Sequence, residues 1–123
     1  MHNILIIEDN RLNRQLMNDF INLIGSDSYN VINVEDGVEA LDKVDEYNFD
    51  LILLDIQLPK MDGLELLPKL KEKPCLLNTP IIAVTAYAMK GDREKFIEAG
   101  CDEYLSKPLD SDKFEETIKK FLG

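Results

Sequence analysis

Ile4-Leu5-Ile6-Ile7-Glu8-Asp9 is the stretch on which the fold turns. Four consecutive apolar residues, mostly β-branched, show no polar alternation. A strand of that kind is buried on both faces of a sheet. Two carboxylates follow it at once. The arrangement recurs: Leu51-Ile52-Leu53-Leu54 ends in Asp55, and Ile81-Ile82-Ala83-Val84 ends in Thr85. Val31-Ile32-Asn33-Val34 is a weaker strand that runs into Glu35-Asp36-Gly37, which also reads as a capped helix start. Glu103-Tyr104-Leu105-Ser106 is weaker still, reads as an edge, and is followed by Lys107-Pro108.

Helix-period segments separate these runs. Leu12, Leu16, Phe20, Leu23 and Ile24 share one helical face. Ala40, Leu41, Val44 and Tyr47 make a second. Leu66, Leu67 and Leu70 mark a third, with Gly63 near its start and Pro68 in its first turns, where proline is tolerated best. Met89, Phe96 and Ile97 indicate a fourth, and Phe114, Ile118, Phe121 and Leu122 a fifth. Strand and helix alternate throughout. This pattern implies an α/β fold with a parallel sheet covered on both faces and right-handed crossovers. The expected architecture is the flavodoxin-like doubly wound one, five strands in the order 2-1-3-4-5.

The chain has 123 residues, the usual size of one domain. We expect a single domain over 1–123 with no output domain after Phe121. A net charge of −10 argues against binding nucleic acid or an anionic membrane. Cys75 and Cys101 lie far apart without CxxC spacing, so they are expected to be reduced and packed rather than bridged or zinc-bound. Met1-His2-Asn3-Ile4 does not resemble a signal peptide, and no apolar run is long enough to span a bilayer. A soluble cytoplasmic protein is the expectation. His2, the only histidine, is expected to be solvated or disordered, which leaves no histidine for a phosphorelay within the core.

In open α/β sheets, ligands bind at the carboxyl ends of the strands. In the expected order, strands 1 and 3 are neighbours, so Glu8, Asp9 and Asp55 crowd together on that rim. Three carboxylates at one place repel one another unless some stay protonated or a cation sits among them. Oxygen donors on a partly open site suit Mg²⁺. A carboxylate beside such a metal, a lysine (Lys107) and a hydroxyl (Thr85) can attack phosphorus and form an aspartyl phosphate. The metal and Lys107 offset the developing charge, and backbone N–H groups after Thr85, at Ala86, add donors. Singly, each residue has a plainer explanation. Glu8-Asp9 can cap a helix, Asp55 can precede a turn at Pro59, Thr85 can cap, and Lys107 can be solvated. That all of them terminate successive strands on one rim is hard to reach by chance.

Glu8-Asp9-Asn10, Asp55-Ile56-Gln57-Leu58-Pro59-Lys60-Met61-Asp62-Gly63, Val84-Thr85-Ala86 and Ser106-Lys107-Pro108 together resemble the receiver domains of response regulators, the CheY-like family. The resemblance covers essentially the whole chain. Ala88-Met89-Lys90-Gly91-Asp92 resembles DivK-type single-domain regulators and receivers fused to hybrid histidine kinases. The resemblance implies Asp55 as phosphoacceptor and Asp9 as direct Mg²⁺ ligand, with Glu8 acting through water and the Gln57 carbonyl completing the shell. It implies Thr85 and Tyr104 as switch residues, Lys107 as the phosphoryl-pairing lysine, and a cis Lys107-Pro108 bond. The implied partners are a sensor histidine kinase or a histidine phosphotransfer protein, docking through the first helix. The implied role is signalling rather than enzymatic turnover. Departures are the acid Glu8 in first place, a long Gly25-Ser26-Asp27-Ser28-Tyr29 segment, and Pro68.

Two other classes share parts of this pattern. A Mg²⁺-dependent phosphohydrolase with an aspartyl-phosphate intermediate would place a second Asp two residues after the nucleophile, where this chain has Gln57. A flavodoxin-like cofactor binder would need a hydroxyl- or glycine-rich phosphate loop after the first strand, where Glu8-Asp9 would repel phosphate.

Overall fold

In the computed structural model the chain alternates strand and helix along the described residues, which are 1–25, 27–58, 61–86 and 92–122, without the side chains of 92 and 93. Pro59, Lys60, Met89 and the 88–91 part of the DivK-like segment lie outside them. The elements are β1 (His2–Ile7), α1 (Arg11–Gly25), β2 (Tyr29–Val34), α2 (Gly37–Glu46), β3 (Leu51–Asp55), α3 (Gly63–Lys71), a 3-10 turn (Pro74–Leu76), β4 (Ile81–Thr85), α4 (Asp92–Glu98), β5 (Glu103–Ser106) and α5 (Ser111–Leu122). Among the described residues the five strands form one parallel sheet in the order β2-β1-β3-β4-β5, as the alternation of apolar runs and helices implies.

Period-two alternation along the central strands divides the core in two. Leu5, Ile7, Ile52, Leu54, Ile81 and Ala83 face Ala40 and Val44 of α2, Leu66, Leu67 and Leu70 of α3, and Phe96 of α4. Ile4, Ile6, Leu51, Leu53, Ile82 and Val84 face Met17 and Ile21 of α1 and Phe114 and Ile118 of α5. This explains why the strand sequences carry no polar alternation: both faces are covered. Each fully buried Leu or Ile contributes roughly 1.5–3 kcal/mol.

Among the described residues four helices start on side-chain caps, α5 on Asp110, which accepts from the Asp112 N–H at 2.9 Å. Asn10 accepts from the Asn13 N–H at 3.0 Å, Asp36 from Glu39 at 2.9 Å, and Asp62 from Glu65 at 3.0 Å. The cap of α1 is therefore Asn10, which leaves Glu8 and Asp9 for other work. Pro68 sits inside α3, and nothing in the structure gives it a function.

Several expectations need correction. In α1 the buried residues are Met17 and Ile21, while Leu12 and Leu23 are 78% and 81% exposed. At 3.6 residues per turn those two leucines lie roughly 120–140° round the helix from Met17. The apolar stripe is wide: Phe20 and Ile24, on its side nearest Met17, pack half-buried against the core as expected, while Leu12 and Leu23 on the far side stay exposed. Tyr47 follows α2 as its C-terminal cap residue and is exposed, as is Ile97 in α4. Cys101 is buried as expected, but Cys75 is exposed; both are free thiols. His2 is not loose at the terminus. It opens β1, stacks on Tyr29 with centroids 6.0 Å apart, and lies 3.9 Å from Asp50. Tyr29, read with the loop, begins β2.

Candidate phosphoacceptor and cation site

The carboxyl ends of β1, β3, β4 and β5 meet on one rim. Asp55 is the last residue of β3 and only 2% exposed. Its backbone is clamped: the next residue's N–H, at Ile56, donates to the Val84 carbonyl at 3.1 Å, and the Gln57 N–H donates to Asp55 Oδ1 at 3.0 Å. The chain then turns back at Gly63, whose N–H donates to the Ile56 carbonyl at 2.8 Å. A Cβ there would stand 2.6 Å from the Ile56 Cα and 2.9 Å from the Asp55 carbonyl oxygen, so only glycine fits.

Glu8 follows β1 and is 0% exposed. Its N–H donates to the Val34 carbonyl at 3.0 Å, and its Oε2 accepts from the Asn10 N–H at 3.2 Å. Carboxylate oxygens of Glu8, Asp9 and Asp55 all lie within 4.8 Å of one another. Lys107, after β5, closes the group: its Nζ is 3.0 Å from Glu8 Oε1 and 3.4 Å from Asp55 Oδ2. The lysine is held in turn by its own N–H, which donates to the Thr85 carbonyl at 2.8 Å, and it precedes a cis bond to Pro108.

The electrostatics follow from burial. Removal from water, and then the adjacent Asp55 carboxylate, push the Glu8 carboxyl up from 4.5 to about 7, against the pull of Lys107. Burial works to lower the Lys107 pKa, but its bonds to Glu8 and the charge of Asp55 outweigh that and hold it above the ordinary ammonium range. Three acids share a space with one lysine, and the lysine alone does not restore Glu8 to an ordinary acid.

Thr85, fully buried, ends β4 opposite Ser106 of β5, with Ala86 exposed just beyond it. Tyr104, half-buried on β5, tilts against Phe96 of α4 at 6.4 Å between centroids. Gln57 is exposed, two residues past Asp55. The fold thus brings Glu8, Asp9, Asp55 and Lys107 into one cluster. Thr85 ends the neighbouring strand, and Tyr104 faces away toward α4. One contact of the site is absent from the reading of the sequence: Arg14 of α1 donates from Nη1 to the carbonyls of Glu8 and Asp9. The available signal was a basic first turn on a helix whose dipole disfavours it.

A family model, the response regulator receiver domain, matches residues 4–119. The chain belongs to the response regulator receiver family. It is 48% identical over 120 residues to the polar-differentiation response regulator DivK of Brucella ovis and of Brucella abortus, an alignment covering 98% of this chain and 95% of those proteins. It also resembles the receiver domain of a Pseudomonas aeruginosa sensor histidine kinase, solved with a magnesium ion coordinated in its active-site cleft. There the identity is 32%, coverage 98% and 96%, and TM-score 0.87. The chemotaxis response regulator CheY4 of Vibrio cholerae superposes with a TM-score of 0.89 at 26% identity and 99% coverage of both chains. As a receiver domain, the chain serves two-component signalling, in which such domains interact with histidine kinases. Among the described residues no helix is long and apolar enough to cross a membrane.

Proposed function

We propose that residues 1–123 form a single receiver domain that accepts a phosphoryl group from a phosphohistidine onto Asp55, aided by Mg²⁺ held by Asp9, Asp55, the Gln57 carbonyl and, through water, Glu8. The observation that carries this reading is the buried Asp55 carboxylate, facing Lys107 at 3.4 Å and two further carboxylates within 4.8 Å. An all-oxygen donor set with excess negative charge, in which burial and Asp55 have pushed Glu8 up, fits a hard divalent cation. When bound, Mg²⁺ supplies charge neutralisation for the incoming phosphoryl oxygens.

The protein's own residues do the rest. The Gln57 N–H fixes one Asp55 oxygen and with it the plane of the carboxylate. An Asp55 oxygen attacks phosphorus in line, and an O–P bond forms as the P–N bond to the donor imidazole breaks. The electron pair returns to the imidazole nitrogen, which takes up a proton. Lys107 pairs with a phosphoryl oxygen, and the Thr85 hydroxyl and Ala86 N–H donate to others. Thr85 moves toward the phosphoryl group, Tyr104 follows into the space it leaves, and the α4-β5-α5 face shifts. A partner that binds one state better reads the change.

Exposed Leu12 and Leu23, with half-buried Leu16 between them on one flank of α1, give the histidine-bearing donor an apolar surface beside the rim. The proposed place of action is the cytoplasm, the reducing compartment in which an exposed thiol such as Cys75 persists. The acidic balance of −10 disfavours nucleic acid as a partner. The only chemistry assigned is self-catalysed transfer and hydrolysis, so this is a switch and not a turnover enzyme.

The test is incubation with Mg²⁺ and acetyl phosphate, or with beryllofluoride, followed by intact mass and amide NMR on the wild type and Asp55→Ala. The expected result is a labile, Mg²⁺-dependent adduct lost in the variant, with shifts reaching Thr85, Tyr104 and Lys107. An adduct that persists without Asp55 overturns the assignment.

A further inference from the structure

α1 breaks a rule that its sisters keep. α2, α3 and α5 each carry an acid in the first turn (Glu39, Glu65 and Asp112), whereas α1 has none and begins Arg11-Leu12-Asn13-Arg14. Cations at a helix N-terminus oppose the macrodipole, so Arg14 is unfavourable for its own helix and something elsewhere must offset it. Local rules broken in this way point to functional positions.

The side chain of Arg14 reaches back over the turn. Its Nη1 donates to the carbonyl oxygens of Glu8 at 3.0 Å and Asp9 at 3.2 Å, and stands 3.3 Å from Glu35 Oε1. Glu8 and Asp9 lie past Ile7–Leu54, the last pair of the β1–β3 ladder. The sheet still holds Glu8 by its N–H, which donates to the Val34 carbonyl, but the carbonyls of Glu8 and Asp9 lie past the ladder and need another donor. Glu35 comes just after β2. A single guanidinium, 19% exposed, ties the loops leaving β1 and β2 to the first turns of α1.

We propose that Arg14 is a positioning residue for the cation site: it fixes the peptide planes of Glu8 and Asp9, and so the directions in which their carboxylates face Asp55. The inference rests on the Mg²⁺ reading above. Arg14 acts through the backbone and is not itself a ligand. Its charge alone would work the other way, because a guanidinium beside an acidic cluster repels a divalent cation. Deleting a mere charge therefore tightens Mg²⁺ binding, while deleting a clamp weakens it, and the two roles differ in sign. Arg11, exposed in the same turn, is the control for charge.

The experiment measures Mg²⁺ dissociation constants by calorimetry and amide-shift titration for the full chain, Arg14→Met, Arg14→Lys and Arg11→Met. All are measured at a temperature where metal-free melts show each variant folded, so that a loss of stability alone leaves the constant unmoved. Arg14→Met is expected to bind roughly 10- to 100-fold more weakly, the usual effect of removing a group that orients metal ligands. Arg14→Lys, which keeps the charge but not the forked donor, falls between it and the wild type, and Arg11→Met binds as tightly as the wild type or tighter. Binding by Arg14→Met equal to or tighter than wild type overturns the proposal. Should that variant not fold, wild-type affinity in Arg14→Lys overturns it instead. A wild type whose Glu8, Asp9 and Asp55 amides ignore Mg²⁺ refutes the cation reading itself, and the inference with it.

Discussion

Replacing Lys107 by Met removes the one cation among the described residues that touches the Glu8 and Asp55 carboxylates, at 3.0 and 3.4 Å, while keeping most of the side chain's apolar length. Those carboxylates are 0% and 2% exposed, so water cannot take the lysine's place. Stripping the partner from a buried ion pair costs 3–5 kcal/mol. Here the lysine lies at the rim and Glu8 is free to take up a proton, so we expect the lower end, about 3 kcal/mol. With an m-value of about 2 kcal/mol/M in urea, the unfolding midpoint falls by about 1.5 M with m unchanged. The assay is urea unfolding at neutral pH in EDTA, followed by far-UV circular dichroism. Two further arms bind the result to charge rather than packing. Millimolar Mg²⁺ recovers more stability in Lys107→Met than it adds to the wild type, since a divalent cation supplies the missing positive charge. In the Glu8→Gln background the same substitution costs less than half as much, because contacting charges couple. A midpoint shift under about 0.25 M, which is about 0.5 kcal/mol at that m-value, or an equal loss in both backgrounds, would refute the idea that Lys107 neutralises this cluster.

Gly63→Ala forces a Cβ to 2.6 Å from the Ile56 Cα, a backbone atom that cannot swing aside. We expect a loss of about 2 kcal/mol or more and slower adduct formation from acetyl phosphate, both read on the purified variant; wild-type stability and rate would show that the loop yields freely. Burial holds the Cys101 thiol up at about 11 against 9.0 in the unfolded chain, so the folded state keeps a proton that the unfolded state releases between those values. Stability is fully present below pH 9 and falls between pH 9 and 11, by about 2–3 kcal/mol at 1.36 kcal/mol per unit. Cys101→Ala flattens that part of the pH profile in urea melts, and an unchanged slope contradicts the assignment. Leu12→Ser, on the exposed flank of α1, leaves stability within about 0.5 kcal/mol, whereas Ile21→Ala costs roughly 2–5 kcal/mol; comparable melts for the two would contradict the orientation of α1.

The helix faces show where legibility ended. The stripe Leu12-Leu16-Phe20-Leu23-Ile24 is a sound amphipathic signal, yet the buried centre of α1 is Met17 and Ile21, flanked by Phe20 and Ile24 of the stripe. Periodicity locates an apolar surface but not its rotation, and a stripe wide enough to meet both a sheet and a partner has two acceptable centres. From the sequence, His2 is expected to be solvated or disordered near the terminus, and Tyr29 groups with the 25–29 segment, because isolated aromatic residues carry weak strand signals. They are strand residues because β1 and β2 pair from His2–Tyr29 onward and the two rings stack across that pair.

By itself the sequence determined the strand cores, the alternation that makes them a doubly wound parallel sheet, and the acids, hydroxyl and lysine that end them. Apolar runs without polar partners have nowhere to go but a sheet covered on both faces, and residues following parallel strands must emerge on one rim. Only the tertiary structure decided which of those groups meet. Lys107 stands nearer to Glu8 than to Asp55, and Asn10 rather than Glu8 or Asp9 caps α1. Gly63 admits no side chain, and Arg14 fastens the loop that carries two of the acids. These are contacts between segments distant in the chain or hidden in backbone carbonyls. Their distances depend on how loops close in three dimensions, which no local pattern of residue types encodes.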